Sequence, residues 1–370
     1  MLLKKKLCIG ALFGGVLFFM ITSHTIRRNS FEMNDATHSS AMTKMQSQTT
    51  TVTEMSQHRL CSCATCVTDT GFSEWFDQRF DYKQKPYLSG EENEIDPVSL
   101  KWWLSLQRSS NVSISEIIKK MFTVISPPVK KSHQPRQCQR CAVVGNSGNL
   151  LKTKYGAVID SHSVVFRMNK AMTLGFEEYV GNKTTHHIIY PESAVDLAPG
   201  VHLVLLPFKL RDLEWVTSAL STGEIRTTYM RVKELVQADK DKVIVVNPGF
   251  FKYTHDRWTE HHGRYPSTGM LAIVLALHLC DEVSVFGYGA DSQGNWHHYW
   301  ENNKYAGAFR KTGVHSAEFE REIILKLNAE GKIKLYPKVK SKILSNVIMK
   351  DSWLSKEPTD PEPKKSHKQL

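Results

Sequence analysis

The sequence predicts an α/β fold: one domain with a mainly parallel twisted sheet flanked by helices, set behind an N-terminal membrane anchor. Three observations lead there. Short apolar runs recur at 142–144, 164–168, 186–190, 202–207, 242–247, 283–287 and 333–336, with helical windows between several of them, around 211–220 and 268–279. Strands separated by helices imply a parallel sheet covered on both faces. The runs also stop at turn formers, namely Gly145, Asn169, Pro191, Asn247 and Gly287, and ligands of such sheets bind beyond the carboxyl ends of the strands. Finally, 41% hydrophobic residues in a chain of 370 are enough to fill a substantial core. No internal repeat is present.

The elements follow in order. Lys4, Lys5 and Lys6 precede 17 uncharged residues, 7–23, which Arg27 and Arg28 follow. That length is the short end of what spans a bilayer, and no small-residue cleavage site closes it, so an uncleaved anchor is expected rather than a signal peptide. The lysines place the short tail, 1–6, on the cytosolic side and the rest in the secretory lumen. Residues 24–57, rich in Ser, Thr, Met and Gln, read as a flexible stem. Six cysteines lie beyond the anchor: Cys61, Cys63, Cys66, Cys138, Cys141 and Cys280. An even number suits disulfides in an oxidising compartment. A four-thiolate zinc site from Cys63, Cys66, Cys138 and Cys141 is the rival, disfavoured by the long gap and the two cysteines it leaves over. Spacing alone does not fix the pairing.

Folded structure is expected from 58 to 337. Residues 72–76 form an early packing segment, and 100–107, with Trp102 and Trp103 as core residues, an amphipathic helix. A basic, proline-containing connection covers 126–135. The tail, 338–370, is basic and polar without a core pattern. The net charge of +11, with a pI near 9.2, suggests an anionic partner or surface. Nucleic acid is not that partner, since the basic residues are scattered and no nucleic-acid motif appears.

Four stretches carry chemistry. In the first, 141–190, the run at 142–144 enters the turn Gly145-Asn146-Ser147-Gly148, where the backbone can approach a ligand and free N–H groups can meet an anion. The second runs from Asn247 to Gly289. Its Ser267-Thr268-Gly269 opens an apolar, buried helix, with Ser267 or Thr268 as N-cap, and a helix start of this kind makes a phosphate seat. The third holds Trp296-His297-His298-Tyr299-Trp300. Metal binding there is disfavoured: no carboxylate or cysteine stands at ligand spacing beside the histidines, and the aspartate-x-aspartate pair by which many nucleotide-sugar transferases hold a divalent metal is read as absent. The fourth places His315 before the last helix, five residues ahead of Glu320.

Together these stretches resemble the sialyl motifs of eukaryotic sialyltransferases, the large (141–190), the small (247–269 with the helix after it), the third (His297 to Trp300) and the very small (His315 with Glu320), in the family's order. The similarity extends from about Cys61 to Tyr336. Details such as Arg264-Tyr-Pro-Ser-Thr-Gly269, Trp296 to Asn303 and Gly307 to Gly313 resemble β-galactoside α-2,3-sialyltransferases, above all those acting on Galβ1-3GalNAc.

The resemblance implies a Rossmann-like, GT-A-variant catalytic domain on a single-pass type II Golgi membrane protein. It implies transfer of sialic acid from CMP-sialic acid to a galactose hydroxyl, with inversion and with neither cofactor nor metal. Acceptors would be galactose-terminated glycans on glycoproteins or glycolipids. Asn146, Ser147 and Asn169 would contact the nucleotide, Ser267, Thr268 and Gly269 its phosphate or ribose, and Gly289 would lie against the donor. Gln107, Tyr229 and Tyr265 would meet the acceptor. Cys61–Cys66, Cys63–Cys138 and Cys141–Cys280 would be the disulfides. The tail after Lys338 has no counterpart in the family pattern. On chemical grounds, His315 is the expected general base, its imidazole titrating in the right range, and His298 the group that stabilises the departing phosphate. Asn111 is the expected N-glycosylation site, with Asn182 a second sequon inside the large motif. Two alternatives are weaker. A dinucleotide enzyme lacks its G-x-G-x-x-G spacing, and an inactive lumenal glycan-binding protein would have no use for both histidines.

Overall fold

A computed structural model describes residues 61–336 except 92–93, 108–112, 129–137, 291–294 and 304–312. The expected anchor, stem and tail, Asn111 and most of the segment 307–313 lie outside the described residues. Among the described residues no helix is long and apolar enough to cross a membrane.

Seven strands form one sheet: β1 (Arg140–Val144), β2 (Val164–Met168), β3 (His186–Ile189), β4 (His202–Leu205), β5 (Val243–Val245), β6 (Glu282–Phe286) and β7 (Lys334–Tyr336). Their order is β5-β4-β3-β2-β1-β6-β7, and every neighbouring pair is parallel. Each expected run is thus a strand, though four end one or two residues early. Tyr190, Leu206, Val246 and Gly287 lie beyond the ladder, in the turns that build the crevice.

The pleat sorts the core. Val143, Phe166, Ile188 and Val204 face one layer, which contains the helix Thr268–Leu279, Phe250, Phe251 and Trp258. Ala142, Val144 and Val165 face the other, with Leu150, Val180 and Tyr299, and Leu203 and Leu205 pack there against the helix Leu210–Ala219. In the helix Thr268–Leu279 every residue from Met270 to Leu277 is buried, as its all-round apolar sequence demands. It lies against β1, β2 and β6. The expected helix at 100–107 runs Pro97–Ser105, capped by Asp96 and opened by Pro97. Trp103 is fully buried and donates its indole N–H to the Pro207 carbonyl at 2.9 Å. In the early packing segment the short helix Glu74–Asp77 buries Phe76, whereas Phe72 is exposed.

The six cysteines among the described residues are paired, as Cys61–Cys66, Cys63–Cys138 and Cys141–Cys280. The second fastens the N-terminal segment to the approach of β1. The third joins β1 to the C-cap of the buried helix across 139 residues of sequence.

Candidate active site

The strand order fixes where a ligand can sit. From β1 the chain proceeds outward through β2, β3, β4 and β5, then returns to lay β6 on the other side of β1. Sheets of this kind take their ligands in the crevice at such a reversal, here beyond the carboxyl ends of β1 and β6. The two strand ends are stitched closely there. Gly145 N–H donates to the Phe286 carbonyl at 2.8 Å and Ser147 N–H to that of Gly287 at 3.0 Å. A Cβ on Gly145 would stand 2.5 Å from the Gly287 oxygen and 2.9 Å from the Tyr288 ring. Glycine is required at this turn by crowding from protein, not only by approach of a ligand.

Two amides mark the crevice as a polar receptor. Asn146 donates its Nδ2 to the Met168 carbonyl at 3.0 Å, and its buried Oδ1 accepts no hydrogen bond. Asn169 follows β2 in the left-handed region (φ 59°), held by its N–H on the Ile188 carbonyl and by His187 on its own carbonyl. Its Oδ1 is also buried without a partner. A buried acceptor left unsatisfied costs about 1–3 kcal/mol, so a ligand offering hydroxyl or amino donors would recover that at both. Ser147 plays a different part from the other two. Its hydroxyl is committed to the Gly289 carbonyl at 2.8 Å, and it caps the 3-10 turn Gly148–Lys152. Gly289 itself has φ +104°, with open space where a side chain would point.

The other half of the crevice is the start of the helix Thr268–Leu279. Ser267 is the N-cap, its Oγ accepting from Met270 N–H at 3.1 Å. Glu320, buried in the last helix (Ala317–Ala329), accepts from Ser267 N–H at 2.7 Å and from the Ser267 hydroxyl. Burial pushes the Glu320 carboxyl up to about 7, although both bonds from Ser267 pull it down. Thr268 and Gly269 form the first turn, where a Cβ on Gly269 would press on Tyr288 at 3.0 Å. Tyr288 donates its hydroxyl to the Gly269 carbonyl at 3.0 Å. Its ring therefore separates the Gly145 turn from the Gly269 turn and sets their spacing. Tyr288 was missed in the sequence, its only signal being the two glycines that flank it.

The histidines come from segments that join these turns. His298 forms a single bridge with Ser147, stacks on Trp300 at 4.5 Å, and donates Nδ1–H to Glu301 at 3.0 Å. His315 bridges to Gly263, and its Nδ1 lies 2.8 Å from the Tyr265 carbonyl. A carbonyl only accepts, so in neutral His315 Nδ1 carries the hydrogen and Nε2 the lone pair. Burial lowers the His315 pKa below the usual imidazole value, against a smaller opposing effect of that bond.

The three residues expected on the acceptor differ in setting. Tyr265 is half-buried, its ring edge-on to His315 at 5.0 Å and beside Phe208 at 5.3 Å. Tyr229 is exposed; its N–H donates to Glu192, which also accepts from Lys209 and Thr228. Gln107 turns its Oε1 to the Leu210 N–H at 2.7 Å, so it starts the helix Leu210–Ala219 and borders a cavity of about 500 Å³. An aspartate-x-aspartate pair does occur in the chain, contrary to the sequence reading of its absence. Asp239 and Asp241 stand before β5, at the amino end of that strand, with Asp239 bound to Gly200 N–H and Lys242. That is the wrong end of the sheet for a ligand of this crevice.

Comparison with known proteins matches residues 88–332 to glycosyltransferase family 29 (sialyltransferase). The chain belongs to this family. It is a sialyltransferase, and relatives with specified linkages surround it. It is 54% identical over 278 residues to the CMP-N-acetylneuraminate-beta-galactosamide-alpha-2,3-sialyltransferase 2 of Rattus norvegicus, covering 75% of this chain and 79% of the relative. To the sialyltransferase 1 of the same description from Homo sapiens it is 48% identical over 283 residues, covering 76% and 83%. A solved mammalian sialyltransferase in complex with Gal-beta-1-3GalNAc-ortho-nitrophenol is similar at 45% identity and TM-score 0.69, covering 75% of this chain and 99% of that one. The sheet, the crevice and the motif order of this sialyltransferase are thus accounted for together.

Proposed function

We propose that this sialyltransferase moves sialic acid from CMP-sialic acid to the 3-hydroxyl of a terminal galactose, in Galβ1-3GalNAc on O-glycans and on glycolipids. It does so with inversion, without a metal, as a type II Golgi membrane enzyme whose catalytic domain is lumenal. Relatives named for α-2,3 transfer and a neighbour holding a Galβ1-3GalNAc compound support the linkage and the acceptor.

The observation that carries the chemistry is the His315–Tyr265 hydrogen bond. It leaves the lone pair on Nε2, the tautomer a base needs. Burial keeps the ring neutral near pH 7. His315 Nε2 takes the proton of the galactose 3-hydroxyl. That oxygen forms a bond to the anomeric carbon of sialic acid from the face opposite CMP, while the bond from that carbon to the phosphate oxygen breaks. The transition state is oxocarbenium-like, and attack from the far face inverts the centre. The electron pair departs with CMP. His298, held by Glu301 through Nδ1–H, acts as the imidazolium and offers Nε2–H to the phosphate, and the helix start at Ser267–Gly269 adds its positive end. Asn146 and Asn169 take donors of the nucleotide on their unsatisfied oxygens. Ser147 acts indirectly, holding Gly289 back so that the donor can lie against it. Gln107, Tyr229 and Tyr265 line the acceptor side, with Tyr265 nearest the base.

Incubation of the full-length protein in detergent with CMP-sialic acid and a panel of galactosides, with and without chelator, tests the reading. Release of CMP with an α-2,3 product on Galβ1-3GalNAc, unaffected by chelator, is expected. A different linkage, or loss of transfer on chelation, would overturn the corresponding part.

A further inference from the structure

Directly after the helix Pro248–Tyr253 the chain winds through a π-turn, Thr254–Trp258, and doubles back through Glu260 and His261, both at positive φ (46° and 64°). The reversal brings His261 over His255 and Asp256. We propose that His255, Asp256 and His261 form a binding site for a divalent transition metal of the zinc type, separate from the transfer chemistry.

The donor atoms are already placed as such a metal would hold them. His255 Nδ1 lies 3.5 Å from Asp256 Oδ1, and His261 Nδ1 lies 3.4 Å from the same oxygen. All three atoms fall within 4.8 Å of one another. Zinc bonds of about 2.0–2.2 Å set the edges of a tetrahedron at roughly 3.3–3.5 Å, so the two measured separations match two of its edges. Two imidazoles and one carboxylate with a fourth position open also suit zinc rather than calcium or magnesium, which prefer oxygen throughout.

Two further observations point to a ligand. The His255 side chain is only 8% exposed, yet its Nδ1 accepts and donates no hydrogen bond; Asp256 Oδ1 is buried and equally unsatisfied. Both atoms face the common point. The opposite nitrogen of His255, Nε2, lies 3.3 Å from the Gly263 carbonyl. Since that carbonyl accepts, Nε2 carries the hydrogen and Nδ1 the lone pair, which is the orientation that an outer hydrogen bond gives a metal-binding histidine. Trp102 shields the ring on one side at 5.1 Å. Lys252 pairs with the other Asp256 oxygen, Oδ2, leaving Oδ1 to the metal. The exposed His261 side leaves the ion a way in from solvent.

The site reaches the reaction indirectly. Gly263, which accepts from His255, is the residue bridged to His315. A bound ion would brace the loop from which the base is hung, without touching substrate.

The test uses the full-length protein in detergent, stripped with chelator. Calorimetric titration with Zn²⁺, and visible absorption with Co²⁺, read binding and geometry apart from transfer. One Zn²⁺ per chain at low-micromolar dissociation constant or tighter is expected, with the intense absorption of tetrahedral cobalt. His261 is 69% exposed, so His261→Ala should fold normally; it should weaken Zn²⁺ binding at least about 10-fold and abolish the cobalt band. Asp256→Asn should do the same. Absence of stoichiometric binding by the wild type would overturn the proposal, as would undiminished binding in both variants.

Discussion

Glu320 accepts two hydrogen bonds from Ser267, one from its backbone N–H at 2.7 Å and one from its hydroxyl, across 53 residues of sequence. A buried carboxyl thereby holds the residue that opens the buried helix Thr268–Leu279. Its pKa of about 7 lies above the ordinary carboxylate value of 4.5. The folded protein therefore keeps a proton on Glu320 that the unfolded chain releases. The linked stability is fully present below about pH 4.5 and is lost as the pH rises toward 7, by about 3 kcal/mol for one such group. In Glu320→Gln, denaturant unfolding measured between pH 5 and 7.5 should lose that slope; a slope equal to the wild type would contradict this role.

His315→Ala should lower the rate of transfer by about 10²–10⁴-fold while leaving CMP binding intact. Isothermal titration with CMP beside a transfer assay separates the two, and loss of both together would remove His315 as the base. Because burial depresses the His315 pKa, the imidazole proposed as base is neutral above that value. In the wild type kcat/KM should accordingly hold steady from pH 7 down to 6.5 and fall only in more acidic solution.

For His298 the informative measurement is donor breakdown as well as transfer. His298→Ala should slow both CMP release by hydrolysis and sialyl transfer by about 10²–10³-fold. Unchanged rates would take the residue out of the mechanism. Glu301→Gln, which keeps a partner for Nδ1 but removes its charge, should lie between His298→Ala and the wild type.

Gly145→Ala drives a methyl group to 2.5 Å from the Gly287 oxygen and 2.9 Å from the Tyr288 ring. Backbone and a packed ring yield little, so destabilisation by about 1–3 kcal/mol is expected, together with weaker CMP binding. Thermal unfolding and CMP titration report these; a variant as stable as the wild type would mean that the strand ends can part without cost. Tyr288→Phe keeps the ring and loses the hydroxyl's bond to Gly269 and its weak contact with Met168, so it should cost about 1 kcal/mol and leave CMP binding in place.

Much of this arrangement could be read from the sequence, and what could not has a physical reason. The strands announce themselves because a parallel sheet is buried on both faces: 164–168 and 202–205 are near-continuous apolar runs ending at turn formers. The helix after Ser267 was equally plain from its all-apolar circumference. Contacts between distant segments were not. Nothing near Ser267 reveals Glu320 as its partner, and nothing near Gly145 reveals that a tyrosine ring fills the space beside it. Ser147 shows the same limit from the other side, since its polar type fits a ligand contact while its hydroxyl is spent on Gly289. His255, Asp256 and His261 escaped notice because their spacing matches no common metal pattern; only the reversal at Glu260–His261 brings the three together.

The pairing of β1 with β6 has a consequence in time. β1 and the Cys280 end of the buried helix are 139 residues apart, and synthesis adds about 5–20 residues each second. The strands β2 to β5 emerge first and can assemble on one side of β1. Its other edge then stays bare for on the order of 10 s, with the thiol of Cys141 in that strand still awaiting its partner. An unpaired central edge of this kind invites association with other chains, so the newborn chain is most exposed to mispairing during that interval. The junction of β1 with β6 forms late, only when the final third of the chain arrives to close it.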